Sequence, residues 1–199
     1  MQHPLPPTQG GRPSERGAHD AQLISSVALH RGRIFDVLRE RVRLPSGLEQ
    51  EVEIVRHAGA VAIAAVDSDG SLVCVRQYRQ AIGEWLVEVP AGRLEPDEEP
   101  EAAARRELEE ETGYRAGRWS TLATFWPAPG FCSERMHLFL AQDLEPAGSS
   151  RRAHDEDEEL EVVRRAPATL FRESRDAKTL VAAALLLLDS EREQPGPSP

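Results

Sequence analysis

Residues 92–114 read GRLEPDEEPEAAARRELEEETGY, a stretch where the composition turns abruptly acidic and alanine-rich. A helix is expected over residues 100–112. Pro100 suits a first turn, Ala102, Ala103 and Ala104 propagate well, and Gly113 can take the left-handed conformation that ends a helix. On that helix Glu107, Glu110 and Glu111 stand at i, i+3 and i+4, so all three share one face. Carboxylates at these spacings repel one another and cost helix stability unless something positive sits among them. A divalent cation would resolve the conflict. Mg²⁺ prefers oxygen ligands and usually keeps several waters, which suits an open glutamate face. Taken alone, the same run also fits a solvated acidic surface on which Arg105 and Arg106 balance neighbouring glutamates.

Working outward, residues 23–30, 34–44 and 48–56 read as strands, with Pro45, Ser46 and Gly47 as a turn. They make a small antiparallel N-terminal unit over residues 21–56. Residues 60–66 and 72–77 are apolar runs joined by Asp67-Ser68-Asp69-Gly70 and read as a central hairpin. A short strand over residues 85–89 is closed by Pro90-Ala91-Gly92. After the helix, strands are expected at 119–125, 136–141 and 160–164, with a flexible charged connector over 143–159. Helices at about 167–174 and 177–190 complete a main domain over residues 57–190. This order gives a mixed β-sheet with helices packed against it, an α/β arrangement. Residues 1–20 and 191–199 have the composition of disordered tails.

The bulk numbers fit that picture. The 199 residues are 40% hydrophobic and 29% charged, an ordinary globular balance. The formal charge of -10 repels polyphosphate backbones, so no nucleic-acid partner is expected. The longest apolar run, residues 180–188, is far below the ~20 residues that span a bilayer, and the N-terminal stretch lacks the apolar core of a secretory signal. A cytoplasmic protein without a membrane partner is the expectation. Only Cys74 and Cys132 are present, with no CxxC pair, so neither a disulfide framework nor a zinc site is indicated. Cys74, inside an apolar run, reads as a core residue.

The whole segment resembles the Nudix box, G-x5-E-x7-R-E-U-x-E-E-x-G-U, where U is a bulky aliphatic or aromatic residue. Gly92, Glu98, Arg106, Glu107, Leu108, Glu110, Glu111, Gly113 and Tyr114 occupy its fixed positions, Tyr114 being a departure from the usual aliphatic residue. Agreement at that many positions outweighs the reading as a solvated face. The resemblance implies a Nudix fold, a mixed sheet sandwiched between helices. It also implies roles: Glu107, Glu110 and Glu111 as metal ligands, the carbonyl of Ala91 completing a metal shell, and Arg106 orienting the glutamates by charge-assisted hydrogen bonds. Glu98 is left with two readings, a metal contact through water or a hydrogen-bonded brace for the loop.

The flanks resemble the ADP-ribose pyrophosphatase branch of that family. Val75-Arg76-Gln77-Tyr78-Arg79 followed by Glu88-Val89-Pro90-Ala91-Gly92 looks like the entry to the box, with Arg79 expected at the phosphates. Pro129 and Gly130 resemble a loop beside the adenosine end of the ligand, and Glu134 a contact to the terminal ribose. The acidic run 155–159 resembles a mobile loop carrying the general base, for which Glu156 and Glu158 are the candidates. The resemblance implies Mg²⁺-dependent hydrolysis of ADP-ribose to AMP and ribose 5-phosphate with two or more ions, Mn²⁺ being able to substitute. It also implies a homodimer in which the N-terminal unit lends aromatic and arginine side chains. Phe35 and Arg56 are candidates by position, with core packing the leading role for Phe35. Other nucleoside diphosphate sugars or dinucleotides are the alternative substrates. A catalytically silent ligand sensor would need a basic DNA-binding region, which the sequence lacks.

Overall fold

The computed structural model describes residues 20–148 and 159–192. Among the described residues two compact units are formed, one by residues 20–59 with 126–135, the other by residues 60–125 with 136–148 and 159–192. The expected tails therefore lie outside the described residues, apart from Asp20 and the end of the last helix, which runs two residues beyond its expected limit to Arg192. Glu156 and Glu158 lie outside the described residues as well.

In the first unit, strands β1 (Gln22–Arg31), β2 (Phe35–Arg43) and β3 (Glu49–His57) form an antiparallel sheet in that order. Arg39 and Glu53 stand directly opposite each other in β2 and β3 and pair at 2.7 Å, which supports its register. The loop 126–135 is sewn to β3: the amide of Val55 donates to the Phe131 carbonyl at 2.7 Å, and the amide of Ser133 to the Val55 carbonyl at 2.9 Å. Three strands have no second layer within the unit, so apolar side chains stay on its surface, among them Leu23, Val27, Leu29 and Leu48. Phe35 corrects the expectation of core packing. It begins β2 and is 39% exposed, because no layer covers that strand end.

The second unit is built on a seven-stranded sheet whose path runs β10 (Leu160–Arg165), β5 (Leu72–Arg79), β4 (Ala60–Val66), β9 (Met136–Pro146), β8 (Tyr114–Phe125). β4 and β9 run parallel and the other pairs antiparallel, so the sheet is mixed. The unbroken apolar run of β4 follows from burial on both faces. Ala60, Ala62 and Ala64 pack with Leu170, Ala182 and Ala183, contributed by α2 (Pro167–Glu173) and α3 (Ala177–Arg192). The alternate residues Val61, Ile63 and Ala65 pack with Ala103, Ala104 and Leu108 of α1 (Pro100–Thr112). The result is a sheet between helical layers. Cys74 is fully buried within it, and burial pushes its thiol up to about 12, which makes it inert.

One irregularity positions everything that follows. β4 and β5 pair only at Ala65 with Val73 and Val66 with Leu72. Beyond that point they separate: β5 takes β6 (Glu84–Glu88) as its neighbour, and β4 takes β7 (Ala91–Arg93). Pro90, which has no N–H to place in a ladder, sits at the crossing, and its carbonyl accepts from the amide of Ile63 at 2.9 Å. Residues 91–93, read from the sequence as the close of a strand, are thus a strand of their own. β8 and β9 are also longer than expected, so residues 143–146 belong to β9 rather than to a flexible connector. Tyr114 has a structural explanation, since its hydroxyl accepts from Arg164 at 2.6 Å and its ring lies under that guanidinium.

Candidate active site

The helix α1 forms as its local signals dictate. Pro100 is in the first turn, and Gly113 closes the other end at φ 74°, its amide donating to the Glu109 carbonyl at 2.9 Å. The glutamates on it do not simply face water. Glu111 is buried and one carboxylate oxygen accepts from the Ala91 amide at 3.0 Å. The Glu107 carboxylate lies so close over Gly92 that a methyl group there would collide with it. Only glycine leaves that seat open. The expectation that these side chains stand out toward solvent is corrected, because β7 comes up against the helix face that carries them.

Arg106 is the hub. Its Nε and Nη2 reach the two oxygens of Glu98 at 2.9 Å each. Nη1 donates to Glu107 at 2.7 Å and to Glu110 at 3.0 Å, and Nη2 also donates to the Arg93 carbonyl at 3.1 Å. Five N–H donors make five hydrogen bonds. These bonds, those to Glu98 foremost, hold the guanidinium above its usual pKa despite burial. The Glu98 carboxylate also accepts from the amide of Glu95 at 3.0 Å, which closes the loop ahead of the helix. Of its two readings, the brace is the one these contacts favour. Glu109, to which the sequence assigned nothing, is a buried partner for Arg115 at 2.7 and 2.8 Å.

The donor set fits a hard divalent cation: carboxylates gathered on one helix face, Glu107 seated against a glycine and Glu111 held by a backbone amide. Among the described residues no three candidate side chains converge as a closed cage. A cation that keeps waters and shares substrate phosphate oxygens does not need one.

Arg79 belongs to the same unit. Its Nε and Nη2 fork onto Glu88 at 2.7 and 2.6 Å. The hydrogen bond to Glu88 raises its pKa, and the charges of Glu88, Glu111 and Asp176 add to the rise while burial opposes it. Glu88 is 1% exposed, and a third group, Lys178 of α3, also bonds to it. Burial pushes the Glu88 carboxyl up, but Arg79 and Lys178 together outweigh it and hold the group at about 2. The folded state therefore holds the charged form more tightly than an unfolded chain, in which the ordinary value is 4.5. This stabilisation is complete above about pH 4.5 and is lost as the pH falls toward 2. Glu88→Gln is expected to be clearly less stable than the parent at pH 7, with the gap closing as acid protonates Glu88 in the parent. Urea unfolding across that range measures it, and a gap independent of pH would contradict the assignment.

The other candidates lie in the first unit. Arg56 is paired with Glu40 at 3.0 Å. Ala128–Cys132 forms a tight turn through the Cys132 amide and the Ala128 carbonyl, 2.9 Å apart, which puts Pro129 and Gly130 at its tip. Glu134 stands 3.9 Å from His57, whose own amide is held by the Ser133 hydroxyl at 2.9 Å. Sequence reasoning did not find Lys178, Asp176 and Thr179 beside Glu88 and Val89. Their one local signal was a helix cap, Asp176 followed three residues later by Thr179.

Comparison with known proteins bears on the fold and the family. The structure is similar to a crystal structure of an ADP compounds hydrolase, with a TM-score of 0.75 and 24% identity, covering 89% of this chain and 98% of that one. In sequence the chain is similar to the ADP-ribose pyrophosphatase of Bacillus subtilis (strain 168), 42% identical over 85% of this chain and 94% of the relative. The ADP-ribose pyrophosphatase of Mycobacterium tuberculosis (strain H37Rv) is 43% identical over 69% of this chain and 67% of its own. The NUDIX domain profile matches residues 55–184, which takes in the whole seat of Glu107 and Glu111, and the chain belongs to the Nudix family.

Proposed function

We propose that this Nudix hydrolase cleaves the diphosphate of ADP-ribose, in the presence of Mg²⁺, to AMP and ribose 5-phosphate. The observation that carries the reaction class is Arg106 holding Glu107 and Glu110 on the helix face where Glu111 is fixed by Ala91. The substrate assignment is supported by the two relatives named as ADP-ribose pyrophosphatases.

Glu107, Glu110 and Glu111, with the Ala91 carbonyl, would hold the metal. Bound there, two or more ions would neutralise the diphosphate and lower the pKa of the attacking water. Arg79 binds a phosphate oxygen through the edge of its guanidinium turned away from Glu88. Arg106 keeps Glu107 and Glu110 oriented. Glu156 or Glu158 accepts the proton of the water at a carboxylate oxygen. Glu134 and the turn carrying Pro129 and Gly130 serve the ribose and adenosine ends of the ligand, with Arg56 and Phe35 contributed by a second copy. The exposed apolar side chains of the three-stranded sheet support a homodimer that covers them. Two free cysteines, one buried and one half-buried, suit the reducing cytoplasm.

A panel of diphosphates tests the substrate. ADP-ribose is expected to be turned over with the highest kcat/KM, releasing AMP. Equal or faster turnover of ADP-glucose, GDP-mannose or diadenosine polyphosphates would assign the site to another nucleoside diphosphate.

A further inference from the structure

Lys178 is the only lysine in the chain, whose 24 basic residues are otherwise all arginine. It stands in the first turn of α3 with its side chain 11% exposed, set between two carboxylates. Nζ donates to Glu88 and, at 3.0 Å, to Asp176. Glu88 is the residue onto which Arg79 forks. A compact ammonium can serve two carboxylates from one point. A planar guanidinium there would compete with Arg79 for the oxygens of Glu88.

The turn that carries Lys178 is itself fixed. The amide and hydroxyl of Thr179 donate to Asp176 at 3.0 and 2.6 Å, which caps the helix. The same Thr179 hydroxyl accepts from the amide of Val89 at 2.9 Å, two residues ahead of Ala91. The start of α3 thus grips the end of β6 at two neighbouring residues, Glu88 by charge and Val89 by its backbone. Arg79, in contrast, makes its side-chain bonds to Glu88 alone among the described residues, and its Nη1 makes none. The direction in which Nη1 points is therefore set by how firmly Glu88 is held.

We infer that Lys178 is a positioning residue for the reaction: by tying Glu88 to Asp176 at the start of α3, it fixes the Arg79 fork so that Nη1 is presented to the substrate diphosphate. The inference rests on the proposed role of Arg79 at the phosphates. Without Lys178, Glu88 and Asp176 face each other as like charges, Glu88 is pushed off its place, and Arg79 follows it. Phosphate binding then weakens while the metal-holding glutamates, which sit on α1, keep their positions.

A double-mutant cycle with Lys178→Met and Arg79→Met tests this. Lys178→Met alone is expected to raise KM about tenfold with kcat changed less than about threefold, the pattern of lost binding rather than lost chemistry. In the Arg79→Met background the same substitution is expected to change KM less than about twofold. An unchanged KM in the parent background, or an equal rise in both, overturns the inference, since a merely structural ion pair acts whether or not Arg79 is present. A second measurement needs no substrate: the Nε–H signal of Arg79 in nitrogen-edited NMR. It is expected to be sharp and slow to exchange in the parent and broadened or lost in Lys178→Met. Persistence of the parent signal also overturns the inference. Failure of the substrate assignment would show instead in the parent enzyme, by slow turnover of ADP-ribose. The cycle is then run on the diphosphate that the panel identifies.

Discussion

Glu111→Gln is expected to lower turnover about a hundred- to a thousandfold in an enzyme that stays folded, the scale of removing one preorganised electrostatic group from an active site. The glutamate is buried, and its structural bond is one it accepts from the Ala91 amide. A glutamine carbonyl oxygen can accept that bond, so the seat of β7 against α1 persists. What disappears is a negative charge and one hard oxygen donor, which are what a divalent cation requires. Glu107→Gln and Glu110→Gln are expected to act in the same direction, with the Mg²⁺ concentration needed for half-maximal rate raised. Initial rates at saturating Mg²⁺, beside thermal melts of the same samples, make the measurement. Near-normal turnover in all three variants would remove these side chains from the metal site.

Arg106→Met is expected to cost both stability and activity. Its side chain is 14% exposed, and it bonds to Glu98, Glu107, Glu110 and the Arg93 carbonyl. Removing one partner from a buried ionic cluster leaves carboxylates crowded without their common donor, a change of about 3 to 5 kcal/mol. For a domain of this size that is a fall in Tm of about 10 °C. The adjacent Arg105 provides an internal control. It makes an exposed i,i+4 pair with Glu101 at 2.7 Å, and such pairs contribute only about 0.3 to 0.5 kcal/mol. Arg105 also lies 4.9 Å over the Trp119 ring, a contact of about 0.5 to 1 kcal/mol, so Arg105→Met should melt within about 5 °C of the parent. Equal melting of the two variants would falsify the description of Arg106 as the hub of the site. Activity in Arg106→Met should fall as well, because Glu107 and Glu110 lose the group that orients them.

The two arginines stand side by side in the sequence, and nothing local separates their roles. The box spacing picked out Arg106, and the structure supplies the reason: its face of α1 meets the loop at Glu98 and the carbonyl of Arg93. Residues 91–93 show the opposite case. Ala-Gly-Arg has no strand propensity, and it becomes β7 because β4 and β5 part after two residue pairs and leave an edge open. Residues 114–118 and 142–146 were equally silent, since pairing between β8 and β9 decides them rather than composition.

What the sequence by itself determined was the chemistry that local spacing and composition carry: the limits of α1, the shared face of Glu107, Glu110 and Glu111, and the unbroken apolar run of β4. These depend on neighbours within a turn or within one short run, which spacing and composition alone reveal. Only the tertiary structure decided how the site is held. The seat of Glu107 on Gly92 joins residues 15 positions apart, and the grip of Lys178 on Glu88 joins residues 90 apart. Both exist because the opening between β4 and β5 brings β6 and β7 under α1 and α3, an arrangement set by packing around the sheet and written in no single segment of the chain.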